Sequence, residues 1–315
     1  MPTDQLIFRP FSPEDDIHRL LRLRRAVEAE DHEGADNTEE NLRAQLALPG
    51  HDPARDRIVA LAPADPETLV GYNLVWLPPG EDTAQVNVIV HPAWRRQGIG
   101  RLLLEKALAH LRQLGAAQVV MYAHQAHPAS GAFLRAHGFQ AAGAYTEMRA
   151  PAGGRLPPVV WPYGYQVRPY AEVNNLAILT QAFNECYQDL PGHHQVSQEQ
   201  MAGYLAEFDP QGLFLVFSEK NRPVGVSRTE LSAERSAKNG APTGYIDSPG
   251  IYSPHRRLDL YRALLLTGMK WLQSQGVSLI ELESWGDKQE VLRSYFDLGF
   301  TTLRQVITYQ QALTD

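Results

Sequence analysis

The chain has little cysteine, no long apolar segment and no excess of positive charge, and each of these shortages excludes a class of protein. Cys186 is the only cysteine, so no intrachain disulfide can form, which fits a reducing compartment. No apolar run approaches the roughly 20 residues that span a bilayer, and the first residues lack the pattern of a signal peptide. We therefore expect a cytoplasmic protein that does not use a membrane.

The charge balance argues against a nucleic-acid partner, because the formal net charge is −7. In an acidic chain, a local group of arginines indicates a specific anion site. We predict no metal site, and the oligomeric state cannot be inferred from the sequence. Cys186 lies in an apolar segment and is more typical of a packed helix residue than of a catalytic thiol.

The stretch from Val86 to Glu105 predicts a strand, a tight turn and a helix. Alternate valines at its start suit one face of a strand, and Pro92 then ends the pairing because it has no N–H to donate. Leucine and alanine recur at helical spacing from residue 102 to residue 111. Between strand and helix lie arginines and two glycines, which allow close backbone approach at a helix start. These parts predict a pyrophosphate-binding turn.

This stretch resembles motif A of the GNAT-type N-acetyltransferases, which bind acetyl-CoA. The matching residues are Val90-x-Pro92-x-x-Arg95-Arg96-x-Gly98-Ile99-Gly100. The turn is not a Walker loop, because Arg101 follows the second glycine, and it lacks the third glycine of a dinucleotide-binding fingerprint. The alternative is an ordinary glycine-containing loop with surface arginines.

The resemblance implies acetyl-CoA as cofactor. Backbone groups of the fourth strand would pair with the pantetheine arm and stabilise the oxyanion, and the turn would hold the pyrophosphate. The residues implied in cofactor binding are Val88, Ile89, Val90, Arg95, Arg96, Gln97, Gly98, Ile99, Gly100, Arg101, His127 and Ser130.

The sequence pattern restarts in the second half of the chain, which indicates an internal duplication. Arg9-Pro10 recurs as Arg168-Pro169, Arg96 as Arg257, and Gly138-Phe139 as Gly299-Phe300, at offsets of 159 to 161 residues. We predict an α/β (α+β) fold with two tandem GNAT-like domains, each a mixed, mostly antiparallel central sheet flanked by helices. The layout is similar to that of the mycothiol synthases, which are tandem members of the family.

The predicted boundaries follow from this repeat and from a Pro- and Gly-rich segment. They are residues 1–150 for the N-terminal domain, 151–164 for a linker and 165–315 for the C-terminal domain. The N-terminal copy is expected to end in a strand pair near Ala144-Tyr145.

The catalytic groups of the first copy are less well defined than its cofactor site. Where family members often carry a tyrosine that protonates the thiolate, this copy has Leu134, so Tyr122 or Tyr145 would have to substitute, or both simply pack. Candidates for a base or an orienting group are Glu81 and Asn87. Acidic residues at the end of the first helix, Glu28, Glu30 and Asp31, are alternatives, and no base is needed if a water relays the proton.

The second copy has candidate catalytic groups but lacks the glycines of the cofactor turn. Asp259 and Tyr261 replace the two glycines of the turn, so charge and bulk oppose a pyrophosphate. Yet Tyr295 falls on the position of the family's acid, and Asp247 lies near that of a base. We predict a degenerate copy kept for packing and for shaping the acceptor pocket, with the alternative that chemistry takes place there.

The prediction is therefore an acetyl-CoA-dependent N-acetyltransferase that acts on a small amine by direct transfer, with one acetyl-CoA per chain in the N-terminal copy. The alternatives are a non-catalytic acyl-CoA-binding sensor and an acetyltransferase of protein N-termini or lysines.

Overall fold

A computed structural model describes residues 6–34, 37–62, 65–189 and 195–313. The chain forms two compact units. The first contains Met1–Ala142 together with Ile307–Asp315, and the second contains Gly143–Val306.

The first unit is a sheet with helices on both faces. Its strands are β1 (Ile7–Pro10), β2 (Arg57–Ala62), β3 (Asp65–Trp76), β4 (Thr83–Val90) and β5 (Gln118–His124). Its helices are α1 (Pro13–Asp31), α2 (Glu39–Leu46), α3 (Pro53–Asp56), α4 (Ile99–Leu114) and α5 (Pro128–Ala136). The strand order is β1-β2-β3-β4-β5, antiparallel except for the parallel pair β4–β5. The next strand beside β5 is β13 (Thr301–Ala312), whose residues from Ile307 onward belong to this unit.

Local sequence explains why the helices begin and end where they do. Pro13 occupies the first turn of α1, and the Thr38 side chain accepts the Asn41 N–H at the start of α2. Gly115 ends α4 in the left-handed conformation, with φ of 77°. One apolar core lies beneath α4 and α5, and another lies beneath α1 and α2.

The second unit repeats this arrangement. Its strands are β6 (Gln140–Pro151, in this unit from Gly143), β7 (Tyr165–Pro169), β8 (Leu213–Ser218), β9 (Pro223–Leu231), β10 (Thr243–Asp247), β11 (Gly250–Ile251), β12 (Leu279–Trp285) and the first part of β13. Its helices are α6 (Tyr170–Val173), α7 (Leu176–Cys186), α8 (Gln198–Leu205), α9 (Ala233–Asn239), α10 (Leu258–Ser274) and α11 (Gln289–Phe296). The strand order is β7-β8-β9-β10-β12-β6-β13, with β10 and β12 parallel and β11 paired with β9.

The predicted fold class is confirmed, with a mixed sheet flanked by helices in each unit. The predicted strand pair near Ala144-Tyr145 is wrong, because β6 runs without a break through both residues to Pro151. Proline at the last position does not interrupt the sheet, since it lies opposite Leu279, the first residue of β12. The domain boundaries predicted at residues 1–150, 151–164 and 165–315 stay a prediction. Among the described residues, no helix is both long enough and apolar enough to cross a membrane.

Candidate active site

An opening between two parallel strands defines the candidate site in the first unit. β4 pairs with β5 from Thr83 opposite Gln118 to Gln85 opposite Val120, and no further pair joins them in the described part of the chain. β4 nevertheless continues to Val90 and stays paired with β3 over that length. The second half of β4 therefore has one unpaired edge.

The register of β3 and β4 shows which backbone groups face this opening. The His91 N–H donates to the Val70 carbonyl at 2.9 Å, and Val90 lies opposite Gly71. Hydrogen-bonded and non-hydrogen-bonded pairs alternate in an antiparallel ladder. Val88 and Val90 therefore direct their backbone groups away from β3, toward the opening, whereas Ile89 bonds to β3 and packs its side chain under α1.

The turn after β4 leaves backbone donors open at the start of α4. Arg96 and Gly98 both have positive φ, 63° and 84°, and the second is the N-cap of α4. A side chain at Gly98 would be strained in this conformation. The first backbone bond that the Gly98 carbonyl accepts comes from Leu102, so the N–H groups of Ile99, Gly100 and Arg101 lie in the unpaired first turn. The Ile99 side chain is buried in the core, which fixes the turn.

The arginines of the turn have different partners. Arg95 donates to the Val90 carbonyl at 3.3 Å and to both carboxylate oxygens of Asp31 at 2.8 and 2.6 Å. The Asp31 hydrogen bonds raise the pKa of Arg95. Arg96 is exposed and has no ion-pair partner among the described residues. Arg101 pairs with Glu105 on the outer surface of α4 at 3.0 Å, and the Gln97 side chain reaches the Ala93 carbonyl at 3.5 Å.

His127 and Ser130 lie at the start of α5, across the opening from the turn. His127 is the N-cap, and its Nε2 is 2.9 Å from the Asp31 carbonyl and 3.5 Å from the Glu33 carboxylate. The end of α1 thus contacts both Arg95 on one side of the opening and His127 on the other. Ser130 is exposed in the first turn of α5.

Two of the catalytic candidates of the first copy, Asn87 and Tyr122, lie on the other face of the sheet. Val86 and Met121 are buried toward α4, so the exposed side chains of Asn87 and Tyr122 share the opposite face, on the two strands that separate. Burial of part of the ring raises the pKa of Tyr122. Glu81 is exposed in the turn before β4.

The turn of the second unit has the same entry but a different helix start. The Tyr252 N–H donates to the Val224 carbonyl at 2.9 Å, as His91 does in the first unit. α10 then begins at Leu258, directly after an extended Arg257. Arg257 donates to both oxygens of Asp259, each at 2.7 Å, so a salt bridge occupies the place of the glycine turn.

Asp247 and Tyr145 both lie in the second unit and have partners there. Asp247 ends β10 and accepts two hydrogen bonds from Arg228, at 3.1 and 3.2 Å. Burial raises the pKa of Asp247, and Arg228 opposes this rise. The Tyr145 hydroxyl donates to Glu147 at 3.0 Å while its ring lies 4.3 Å from that of Trp285. Burial and the nearby carboxylates raise the pKa of Tyr145.

Tyr295 belongs to a buried polar cluster that the sequence did not reveal. Its hydroxyl donates to Asp287 at 3.1 Å and is 3.2 Å from the Ser248 hydroxyl. Ser248 and Ser284 donate to the same Asp287 oxygen at 2.6 and 2.8 Å. Burial raises the pKa of Tyr295 well above its ordinary value. The sequence signal was weak, because Trp285 and Gly286 separate Ser284 from Asp287 and the other members lie far away in the chain.

Cys186 is the buried last residue of α7, which confirms the expectation of a packed helix residue. Burial raises the pKa of its thiol to about 12, so the nucleophilic thiolate is scarce at neutral pH. Within the described ranges, no group of three or more His, Cys, Asp or Glu side chains is placed to hold a metal ion.

Comparisons with known proteins agree with this geometry. The model of the acetyltransferase (GNAT) family matches residues 17–139. A mycothiol acetyltransferase of Nocardia farcinica is 30% identical over 295 residues, which are 89% of this chain and 94% of that protein.

Two solved structures share the fold over nearly the whole chain. One is a GCN5-related N-acetyltransferase from Sphaerobacter thermophilus, with a TM-score of 0.66 and 20% identity, covering 100% of this chain and 98% of the other. The second is a tandem GNAT protein from the clavulanic acid biosynthesis pathway, with a TM-score of 0.57 and 19% identity, covering 98% and 99%.

Proposed function

The chain belongs to the GNAT family of acetyltransferases and is a tandem N-acetyltransferase, and we propose that it transfers the acetyl group of acetyl-CoA, bound by its first unit, directly to a small amine. The observation that supports this most is the unpaired edge of β4 beside the glycine turn. Val88 and Val90 offer backbone groups there, and the first turn of α4 offers N–H groups to an anion.

The residues fit the parts of acetyl-CoA in order along the opening. The open N–H groups from Ile99 to Arg101 and the charge of Arg96 would hold the pyrophosphate. The pantetheine arm would extend β4 by pairing with Val88, as a peptide adds to a sheet edge. A backbone N–H at this edge would donate to the oxyanion of the tetrahedral intermediate. When bound, acetyl-CoA supplies the activated acetyl group.

The acceptor is proposed to be a small molecule for two reasons. The full-length relative is named for acetylation of mycothiol, a small molecule, and this chain spans 94% of it. The face that carries Asn87 and Tyr122 is open to an acceptor, and of these two groups only the tyrosine hydroxyl can give up a proton. The high pKa of Cys186, and its place in the second unit, favour direct transfer without an acetyl-enzyme.

Replacement of Gly98 tests the cofactor site. Gly98→Asp puts a side chain on a residue with φ of 84° and a negative charge beside the phosphates. One charge at about 4 Å is worth roughly 4 kcal/mol at an effective dielectric near 20, which is about three powers of ten in affinity. Calorimetric titration of wild type should give about one acetyl-CoA per chain, and Gly98→Asp should abolish that binding.

Arg257→Ala is the matched control, because it changes the equivalent turn of the second unit. It should leave acetyl-CoA binding and turnover unchanged. Two equivalent sites in wild type, or one site that survives Gly98→Asp and disappears in Arg257→Ala, would move the cofactor to the second unit. Thiol release with amines, amino sugars and peptides separates an enzyme for small amines from a protein acetyltransferase, and no release at all indicates a sensor.

A further inference from the structure

The second unit contains a cavity of about 280 Å³ at the break between β10 and β11. Ser248 lines it from this break and Ile251 from β11, while Arg256 and Tyr261 contribute from the following turn and helix, and Asp287 and Lys288 from the loop before α11. Its volume is close to the lower bound of the roughly 300 to 1,000 Å³ of common ligand pockets, so it suits a small molecule.

The arginines around this cavity are already neutralised. Arg256 donates to the Ile251 carbonyl at 2.9 Å and pairs with Asp189 at 2.8 Å. Arg257 is bound to Asp259 through two hydrogen bonds. The other charged side chains of the lining, Lys288 and Glu290, are both exposed, so solvent and salt screen their charges. This leaves Asp287 as the charge that decides what the cavity binds.

Asp287 is held with one oxygen occupied and one free. Its Oδ2 accepts the hydroxyls of Ser248, Ser284 and Tyr295 at 2.6, 2.8 and 3.1 Å. Among the described residues no donor lies within hydrogen-bond distance of Oδ1. Three donors fix the carboxylate in one orientation, so the free oxygen is a preorganised acceptor in the cavity wall.

This arrangement favours a cation over a thiol. In an active GNAT-like copy, the hydroxyl at the position of Tyr295 would donate to a departing thiolate, but here it donates to Asp287. A thiolate placed in this cavity would meet a carboxylate of like charge. An ammonium group would instead gain a charge-assisted hydrogen bond, which is roughly twice as strong as a neutral one.

We propose that this cavity is a binding site for a small molecule that carries a primary ammonium group, held by Asp287 Oδ1. The site lies wholly within the second unit and does not require acetyl-CoA, so it is independent of the function proposed for the first unit.

Calorimetric titration of the full chain without acetyl-CoA tests the site. The probes are ethanolamine, putrescine and glucosamine, with ethylene glycol, butanediol and glucose as their neutral counterparts. At least one amine should bind at millimolar concentration or below, and its neutral counterpart should not. Asp287→Asn should weaken amine binding at least about tenfold, because the residue keeps its shape and loses its charge.

Glu290→Gln is the matched control, since it removes a carboxylate from the same lining and should leave amine affinity unchanged. Gly98→Asp should also leave it unchanged, which separates this site from the acetyl-CoA site. The proposal is overturned if no amine binds, if Asp287→Asn binds the amine as wild type does, or if pantetheine and not an amine occupies the cavity.

A second measurement uses wild-type protein alone, in case Asp287→Asn fails to fold. The backbone of Gly250 and Ile251 lines one side of this cavity and that of Gly286 to Lys288 another. The amine that binds should slow hydrogen–deuterium exchange of these backbone amides, and its neutral counterpart should not. An amine that binds without slowing exchange there binds elsewhere, which contradicts the proposal.

Discussion

Two neighbouring arginines of the first turn, Arg95 and Arg96, perform different tasks. Arg95 joins the Val90 carbonyl to Asp31, and Arg256 makes the same two kinds of contact in the second unit, to Ile251 and Asp189. The second turn has lost its glycines and kept these contacts, so they belong to the fold and not to phosphate binding. The sequence could not separate the two arginines, because Asp31 lies 64 residues from its partner.

This difference predicts opposite effects for two substitutions. Arg96→Ala removes an exposed charge that has no partner among the described residues, so acetyl-CoA binding should weaken about tenfold while the melting temperature stays unchanged. Arg95→Ala leaves the Asp31 carboxylate, 15% exposed, without its arginine and should lower the free energy of unfolding by about 1 to 3 kcal/mol. Thermal unfolding and calorimetry on both variants separate the effects. Equal losses of affinity with no loss of stability in either variant would mean that both arginines bind phosphate.

At the scale of elements, α3 and α4 are joined by one buried carboxylate. Asp56, at the end of α3, is 4% exposed and accepts the Asp52 N–H, two hydrogen bonds from Arg55 and one contact from His110 on α4 at 2.8 Å. Burial alone would raise the pKa of Asp56. The hydrogen bonds from Arg55, Asp52 and His110 outweigh burial and lower the pKa to about 2.

Because the pKa of Asp56 is lowered in the folded state, the stabilisation that its carboxylate gives depends on pH. The pKa falls from an ordinary 3.8 to about 2, so the stabilisation is complete above pH 3.8 and is lost as the pH falls through about 2. It amounts to about 2 kcal/mol, since one pKa unit is about 1.4 kcal/mol. Asp56→Asn should lower the free energy of unfolding at neutral pH by about this amount and flatten its dependence on pH over that interval. Urea unfolding at several pH values measures both, and Asp52→Asn, which keeps the Asp56 carboxylate, serves as the control.

Element boundaries show where sequence reasoning works and where it stops. The cap of α2 at Thr38 and the end of α4 at Gly115 depend only on neighbouring residues, so ends of this kind are accessible to sequence reasoning. The glycine substitutions in the second turn were also visible in the sequence. α10 begins directly after Arg257, so its first residues occupy the positions that form the turn in the first unit. This start depends on the Arg257–Asp259 salt bridge and could not be predicted from residue types alone.

At the scale of the whole molecule, the repeat predicted two copies but not which segments complete them. An offset of about 160 residues places the last strand in the second copy, whereas residues from Ile307 onward group with the first unit and Gly143–Pro151 with the second. Each copy needs a strand after its last helix, so the repeat in the sequence cannot show which segment of the chain supplies that strand to which copy. The cluster around Asp287 was missed for a related reason, since its members come together only through the fold.

The last strand therefore predicts how the first unit depends on the end of the chain. Tyr309 and Leu313 are buried in the core beneath α4 and α5, Arg135 donates to the Tyr309 hydroxyl at 2.7 Å, and the Leu313 N–H donates to the Ala117 carbonyl at 2.8 Å. Burial of each large apolar side chain is worth about 1.5 to 3 kcal/mol, a large share of the roughly 5 to 15 kcal/mol of a typical domain. A chain that stops after Val306 should thus lose acetyl-CoA binding, although every residue of the turn is present.

Calorimetry and circular dichroism on three lengths of the chain decide this. The full chain should bind acetyl-CoA, the chain ending at residue 306 should not, and a fragment of residues 1–150 should be unfolded or aggregated, because it too lacks the strand. Tyr309→Phe in the full chain keeps the buried ring and removes only the hydroxyl, so it should retain binding with a small loss of stability. A folded 1–150 fragment with the affinity of the full chain would instead show that the boundaries predicted from the sequence mark an independent domain, and that the last strand adds stability without being required for the cofactor site.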